Sequence, residues 1–428
     1  MDAPSPSRSS ASVLDRGVSE IAAIVGAAHV RDATPADAVC GAALSKVVEP
    51  GTAEEVAAVL KAATAAGLAV VPRGGGTKLE WGNLPKRADL IVSTARLNKV
   101  EEHAWEDMTA TVSAGCTVQQ VQDALAKHRQ RIALEALWPE RATIGGALAA
   151  NDTGAIRLRF GGLRDLIIGA TIALPDGTLA KSGGKVVKNV AGYDLPKLST
   201  GALGTLGVIT QAIFRLHPIF AAIRTVSFVP ASVAEANKLI LAANDSPLVP
   251  TGLQIVCSSD GPVRVDARFE GVPAGIDAQV QQFKQFAGSA KETSAPADAW
   301  RREPLWQGAE PSLVAKFSIL PVKIAEFFEG VRANAGPRTW KASAQAYGVG
   351  WLRLEGGNSA QFVAAATALR KIAEAAFGSF VVLHGPADVK QQFDAWGSVG
   401  DALPLMTRVK AQFDPNGTLN PGRFVGGI

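Results

Sequence analysis

Three consecutive glycines, Gly74, Gly75 and Gly76, close an apolar run and are flanked by Arg73 on one side and Thr77 and Lys78 on the other. Backbone without Cβ atoms lets a chain approach a ligand closely, and successive N–H groups can converge on an anion. A pyrophosphate suits such a turn. The spacing is not the G-x-G-x-x-G of a dinucleotide-binding helix, and no G-K-[ST] follows as in a P-loop. Taken alone, the turn is more simply structural. A second segment shifts the balance. Thr143, Ile144, Gly145 and Gly146 put a hydroxyl and bare backbone at a helix start, where donors point outward. Asn151, Gly154 and Gly161 follow closely. Two separate anion-suited elements fit a long dinucleotide that spans two subdomains.

The elements that must position these segments are legible from periodicity. Val56, Val59, Leu60 and Ala63 have helical spacing behind a Thr52/Glu55 capping box, and Gly67 ends that helix. A strand at Leu68–Val71 then delivers the glycine turn. Strands at 90–93, 100–103 and 109–113 follow, then a helix capped by Thr117. The second segment leads through a strand at 166–174, a Pro175-Asp-Gly turn, and a strand at 208–216. Beyond Pro218 the texture becomes regular: β-α-β-β-α is written twice between residues 223 and 384, a doubled ferredoxin-like arrangement on one antiparallel sheet. Residues 292–307 read as a connecting loop. The fold class is therefore α+β. The expected divisions are a disordered leader over 1–20, a two-subdomain unit over 21–218, a cap over 219–395 and a C-terminal segment over 396–428 that returns to the first unit.

Composition excludes several classes. A net charge of +4 over 428 residues does not argue for nucleic acid. No apolar run reaches the roughly 18 residues that span a bilayer, and the N-terminus has no signal-peptide core. A reducing cytoplasm is the default. Cys40, Cys116 and Cys257 lie far apart and cannot ligate an iron–sulfur cluster, so any next electron carrier must sit on another chain. Arg157, Arg159 and Arg164 form the one arginine group. It faces a partner's acidic surface, lies near phosphates, or is simply solvated.

The motifs PRGGGTKLEWGN (72–83), WPERATIGGALAANDTGAIRLRFGGLRDLIIGATIALPDGT (138–178), KNVAGYDLPKL (188–198), GALGTLGVIT (201–210) and FDPNGTLNPGRF (413–424) together resemble the vanillyl-alcohol-oxidase/PCMH-type FAD-binding proteins. Within them the chain is most similar to the FAD-binding subunits of bacterial glycolate oxidase. The resemblance covers most of the chain from about residue 40 and implies FAD as cofactor. It places the pyrophosphate on Arg73–Thr77 and Thr143–Gly146, with Pro139, Asn151, Gly154 and Gly161 nearby. It places the adenine around Ile209 and the flavin near Asn420–Arg423. Family members that tether flavin through the first loop have His where this chain has Thr77, which implies non-covalent FAD. Tyr193 and Asp194 either contact flavin or cap a turn.

A related catalytic subunit type carries H-A-G-D-G-N-L-H and, later, E-H-G, which together form a metal and acid/base site. These motifs fall on Ala346–Arg353 and Leu383–Gly385. The ligands have become Ala346, Val349, Arg353 and Leu383, and such side chains cannot bind a divalent ion, so no metal is expected. Two catalytic candidates remain. His384 is a general base or a framework histidine; Arg353 pairs with a substrate carboxylate or fills the former metal site. The resemblance implies an FAD subunit of a complex that oxidises glycolate, a small 2-hydroxy acid, beside a catalytic FAD subunit and an iron–sulfur subunit. That complex would be cytoplasmic, with peripheral attachment to the inner membrane allowed. The alternatives are an autonomous D-lactate-type dehydrogenase and a non-catalytic scaffold for a catalytic paralogue.

Overall fold

The computed structural model describes residues 8–185 and 192–428. Of the KNVAGYDLPKL motif, residues 188–191 lie outside the described residues. The N-terminal half holds two sheets. Strands Val30–Asp32, Lys46–Val48, Leu90–Ser93 and Val70–Arg73 form the first, in that spatial order, and the last three run parallel. Helix Ala53–Ala65 covers it, capped as its sequence demands: Thr52 Oγ1 accepts from Glu55 N at 3.1 Å, and Val56, Val59, Leu60 and Ala63 are buried. The second sheet is antiparallel, with Val100–Ala104, Thr109–Ser113, Val208–Arg215, Ile167–Ala173 and Leu179–Gly183 side by side.

The segment expected as a disordered leader is helical from Arg8 to Val25. Ile21 and Val25 sit in the core of the first subdomain, with Leu14 and Val18 packed beside them. These positions keep the spacing of one helical face. The Ser- and Pro-rich start of the sequence masked it.

Residues 222–384 build one eight-stranded antiparallel sheet with helices on one side only. Each half is a complete β-α-β-β-α-β unit. The fourth strand of the first half, Lys291–Thr293, pairs with Ala222–Val229 at the edge where a plain loop was expected. Alternation divides the strands cleanly. Leu313, Ala315, Phe317, Leu352 and Leu354 pack under the helices. Val349, Trp351, Val381 and Leu383 point the other way, onto Trp81, Leu137 and Trp138 of the first unit. The chain then returns: Asn420 N donates to Val70 O at 2.9 Å, and Val70 N donates to Thr418 O at 2.7 Å. Among the described residues, no helix is long and apolar enough to cross a membrane.

Candidate active site

Strand Val70–Arg73 delivers the glycine turn directly against the second segment. A Cβ on Gly74 would lie 1.9 Å from Thr143 Oγ1, and one on Gly75 would lie 1.7 Å from the carbonyl oxygen of Arg141. Gly76 has a left-handed φ of +73°, which glycine adopts without strain. Thr143 caps the seven-residue helix Ile144–Ala150, its Oγ1 accepting from Gly146 N at 3.2 Å. Two adjoining clefts of about 510 and 450 Å³ open at this junction. Gly74, Gly75, Gly76, Thr77, Lys78, Thr143, Gly146, Asn420 and Arg423 line the first. Gly145 and Ile209 join Arg73, Gly74 and Gly146 in the second. Segments 70 to 350 residues apart in sequence thus meet on one wall.

The donors around this wall fit a phosphate-bearing group. Among the described residues, the amides of Gly74, Gly75 and Gly76 find no acceptor in the chain. Arg423, in the NPGR segment, is buried. Its guanidinium donates to the carbonyls of Leu79 at 2.6 Å and Trp81 at 2.8 Å, and its Nε has no partner. Unpartnered buried donors are costly, and an anion satisfies them. The flanking cations are placed differently from the simple sequence picture. Arg73 is ion-paired with Asp37, which also holds Arg31. Lys78 sits 3.1 Å from Asp152. Both charges are matched within the protein, so backbone amides carry the anion site.

Other expected residues lie around the clefts. Ile144 is buried under the cradle, and the carbonyl of Pro139 accepts from Gln119 N at 2.9 Å. Asn151 ends the short helix in the left-handed region at φ 47°. The carbonyl of Gly154 accepts from the Tyr347 hydroxyl at 3.1 Å, at the junction with the cap. Gly161 caps the turn Arg157–Phe160. Asp194 accepts from Lys197 N at 3.1 Å as a helix cap, while Tyr193 stands 89 % exposed. Arg157 lies over the Tyr347 ring at 5.5 Å.

Facing the cradle is a charged layer that sequence reasoning missed. Asp152 is fully buried. It accepts from Leu137 N at 2.8 Å and from Arg302 Nη1 at 2.7 Å, with Lys78 on its other side. Burial works to raise its pKa, but Arg302 and Lys78 hold it well below the ordinary carboxylate range. Arg302 comes from the stretch 292–307, which does more than connect. Its Nη2 donates to Glu135 O at 2.9 Å, its guanidinium stacks on Trp351 at 4.8 Å, and neighbouring Glu303 accepts from Trp138 N at 2.9 Å. Removing one partner of a buried pair costs about 3–5 kcal/mol. Arg302→Ala is therefore expected to lower the unfolding free energy by about 3 kcal/mol, read from urea denaturation. A loss below about 1 kcal/mol would mean that Lys78 alone compensates Asp152.

Lys316 stands at the centre of the cap sheet, directly opposite Trp351. Among the described residues its ammonium makes no hydrogen bond or ion pair. Burial pushes its pKa down to about 8, with Arg302 and Arg157 adding to the effect and Asp152 opposing it. The indole Nε1 of Trp351 is also buried without a partner. Two adjacent donors therefore lack an acceptor, in a region where Lys78, Arg157, Arg302 and Lys316 outnumber Asp152 and Glu135.

The two catalytic candidates part company. Arg353 is 1 % exposed and committed: its Nε donates to Glu355 at 2.6 Å, its Nη1 to Leu305 O at 3.3 Å and its Nη2 to Ala309 O at 3.0 Å. It ties the loop to the sheet. His384 ends strand Ser379–His384, with Nδ1 held by the carboxylate of Glu80, just beyond the glycine turn, and Nε2 3.6 Å from Glu310. Among the described residues no three His, Cys, Asp or Glu side chains are grouped to hold a metal ion.

A two-subdomain cradle with free amides, closed by an antiparallel cap sheet, is the fold of the PCMH-type FAD-binding proteins. Residues 44–183 match a family described as FAD binding domain. The fold agrees with solved structures over nearly its whole length. p-Cresol methylhydroxylase superposes with a TM-score of 0.75 at 16 % identity, covering 96 % of both chains. An alkyldihydroxyacetonephosphate synthase superposes with a TM-score of 0.74 at 17 % identity, covering 99 % of this chain and 87 % of that one. The glycolate oxidase subunit GlcD of Bacillus subtilis is 27 % identical over 88 % of each chain. The D-lactate dehydrogenase of Archaeoglobus fulgidus is 38 % identical over 40 % of this chain, a match spanning 38 % of that protein's length. The chain therefore carries an FAD-binding domain over residues 44–183, its cofactor is FAD, and it is similar to these flavin-dependent hydroxy-acid oxidoreductases.

Proposed function

We propose that this chain is the FAD-binding subunit of a complex that oxidises glycolate to glyoxylate and passes the electrons to an iron–sulfur partner subunit. The reading draws on similarity to the glycolate oxidase subunit and on one observation: Lys316 and Trp351 form a paired, unpartnered donor site on the cap face. An ammonium beside an indole N–H suits a small carboxylate. Cys40, Cys116 and Cys257 are each buried and free, so onward transfer falls to another chain. Such a complex would work in the cytoplasm, with inner-membrane attachment through its partners.

In this scheme Gly74–Thr77, Thr143–Gly146 and Arg423 hold FAD, which supplies a two-electron acceptor when bound. Lys316 and Trp351 Nε1 orient the substrate carboxylate. His384 is the one histidine on the cap strands. Glu80 fixes its Nδ1, so Nε2 would take the hydroxyl proton as hydride leaves the carbon; loss of that proton and hydride turns the alcohol into the carbonyl of glyoxylate. Arg353 is assigned to holding the loop in place of a metal.

The test is anaerobic addition of glycolate, D-lactate or acetate to the purified chain. Loss of the flavin band with glycolate, and not with acetate, is the expected result. Bleaching by D-lactate alone favours the autonomous dehydrogenase, which the same donor pair also suits. A flavin that neither acid bleaches, alone or with the co-expressed partners, sinks the proposal. Thr77 offers no imidazole for a flavin bond, so acid precipitation should leave all the FAD in the supernatant. Flavin fluorescence in the protein pellet would show a covalent link.

A further inference from the structure

Lys78 follows the glycine turn and lines the first of the two clefts, together with Asn420 and Arg423, beside which the motif resemblance puts the flavin. Ile209, on the adenine side, lies in the other cleft. The first cleft also opens on the cap. Ala150 lines it and packs against Trp81 and Trp351 at the junction, and the Lys78 ammonium stands 5.6 Å over the Trp81 ring. A flavin ring that reaches from the phosphate cradle to a substrate on the cap sheet must pass this point. The Lys78 side chain is 7 % exposed there, and its partner Asp152 is fully buried. That carboxylate is shared: Arg302 takes Oδ1 at 2.7 Å while Lys78 sits 3.1 Å from Oδ2. Glu303, which also acts on Lys78, accepts from Trp138 N and pairs with Arg301. Two cations thus divide one carboxylate out of water, where a surplus charge acts several times more strongly than in solvent. Burial lowers the Lys78 pKa and Asp152 opposes the fall, so the ammonium is held at a cost.

We propose that Lys78 sets the reduction potential of the bound FAD, its ammonium stabilising the negative charge that the flavin ring gains on reduction. Hydride carries two electrons and one proton from the substrate carbon to the ring, while His384 takes the hydroxyl proton. A neutral ring that accepts hydride becomes an anion. The phosphates keep their charge in both states, so a cation that served them alone would change affinity and leave the potential where it was. A cation beside the ring favours the reduced form. Asp152 works in the opposite sense, and its division between Lys78 and Arg302 limits how much of that effect it cancels. The inference rests on FAD filling the first cleft and holds for whichever hydroxy acid the chain oxidises.

The experiment reduces the flavin-loaded full chain anaerobically with xanthine and xanthine oxidase beside a reference dye, with no hydroxy acid present. Lys78→Gln keeps a donor for Asp152 but removes the charge. It is expected to shift the oxidised-to-reduced ratio at a fixed potential by about tenfold toward the oxidised form, a fall of about 30 mV for a two-electron couple. Lys78→Arg keeps the charge and should stay within about twofold of the parent. Asp152→Asn should move the ratio toward the reduced form. Lys78→Gln and Asp152→Asn each break the same buried pair, so a merely structural role would lower Tm in both without giving their potentials opposite signs. A Lys78→Gln potential equal to the parent's, or a common direction in the two variants, would overturn the proposal. So would a folded Lys78→Gln chain that purifies without flavin, because Lys78 would then be a binding group. Should Lys78→Gln not fold, Asp152→Asn decides: a potential that fails to rise sinks the idea. A flavin that glycolate does not bleach would leave these potentials as they are, so the two readings fail separately.

Discussion

Gly75→Ala is expected to emerge from purification folded but with less than about a tenth of the parent's flavin. The added methyl would sit 1.7 Å from the carbonyl oxygen of Arg141. That oxygen is main chain, two residues before the Thr143 cap of the cradle helix, and no rotamer change can move it aside. Ordinary contact requires the glycine turn to retreat by more than an ångström, carrying the free amides of Gly74–Gly76 away from any shared ligand. A hydrogen bond to a charged acceptor contributes about 1.5–3 kcal/mol. Losing two weakens binding by at least about a hundredfold. Gly184→Ala, where nothing lies within 4 Å, is the matched control and should keep its flavin. Arg73→Ala should lose less than Gly75→Ala, because the Arg73 charge is already paired with Asp37. The ratio of flavin to protein absorbance reads the outcome, with far-UV circular dichroism to confirm the fold. A fully yellow Gly75→Ala protein would remove the glycine turn from the cofactor site.

What the sequence disclosed and what it withheld divide along a physical line. Local signals were read well. The Thr52 cap, the glycine turn after a strand and the duplicated cap pattern all depend on neighbours within a few residues, and periodicity reports such neighbours directly. The charged layer depends on distant ones. Asp152 and Arg302 meet across 150 residues, and a buried ion pair leaves no local pattern in either segment. Arg302 also lies in a stretch whose Pro, Ala and charge content reads as a plain loop. The strand Lys291–Thr293 is three residues long, too short for alternation to register. Lys316 is a different case. In Leu313–Ile319 it interrupts an otherwise well-hidden strand, and a lone ammonium at mid-strand is a visible anomaly. The cue was present, but the emptied metal motif on the neighbouring strand drew the catalytic reading to Arg353, whose donors turn out to be occupied by Glu355 and loop carbonyls.

Lys316→Met is expected to raise KM for the 2-hydroxy acid by about tenfold to a hundredfold while leaving kcat within about twofold and making the protein more stable. The two effects have one origin. Burial lowers the Lys316 pKa to about 8, so at neutral pH the folded chain holds an ammonium at a cost that the unfolded chain does not bear. The sign follows from proton binding. Between about 8 and the ordinary 10.5 the unfolded state binds more protons, so Lys316 makes stability rise with pH across that window, and its penalty is full below it. Methionine removes the penalty. Tm should be higher in the variant at pH 7, and the gap should close as pH climbs toward 10.5. A bound carboxylate reverses the balance, since charge-assisted pairing repays the buried ammonium. The parent's kcat/KM should accordingly fall as pH rises through about 8, with the fall absent in Lys316→Met. Trp351→Phe, which keeps the ring stacked on Arg302 but deletes Nε1, should raise KM by a smaller factor. A variant that is stabilised yet keeps the parent's KM would reduce Lys316 to an unmatched charge in the cap. One that is destabilised would mean the ammonium has a partner inside the fold.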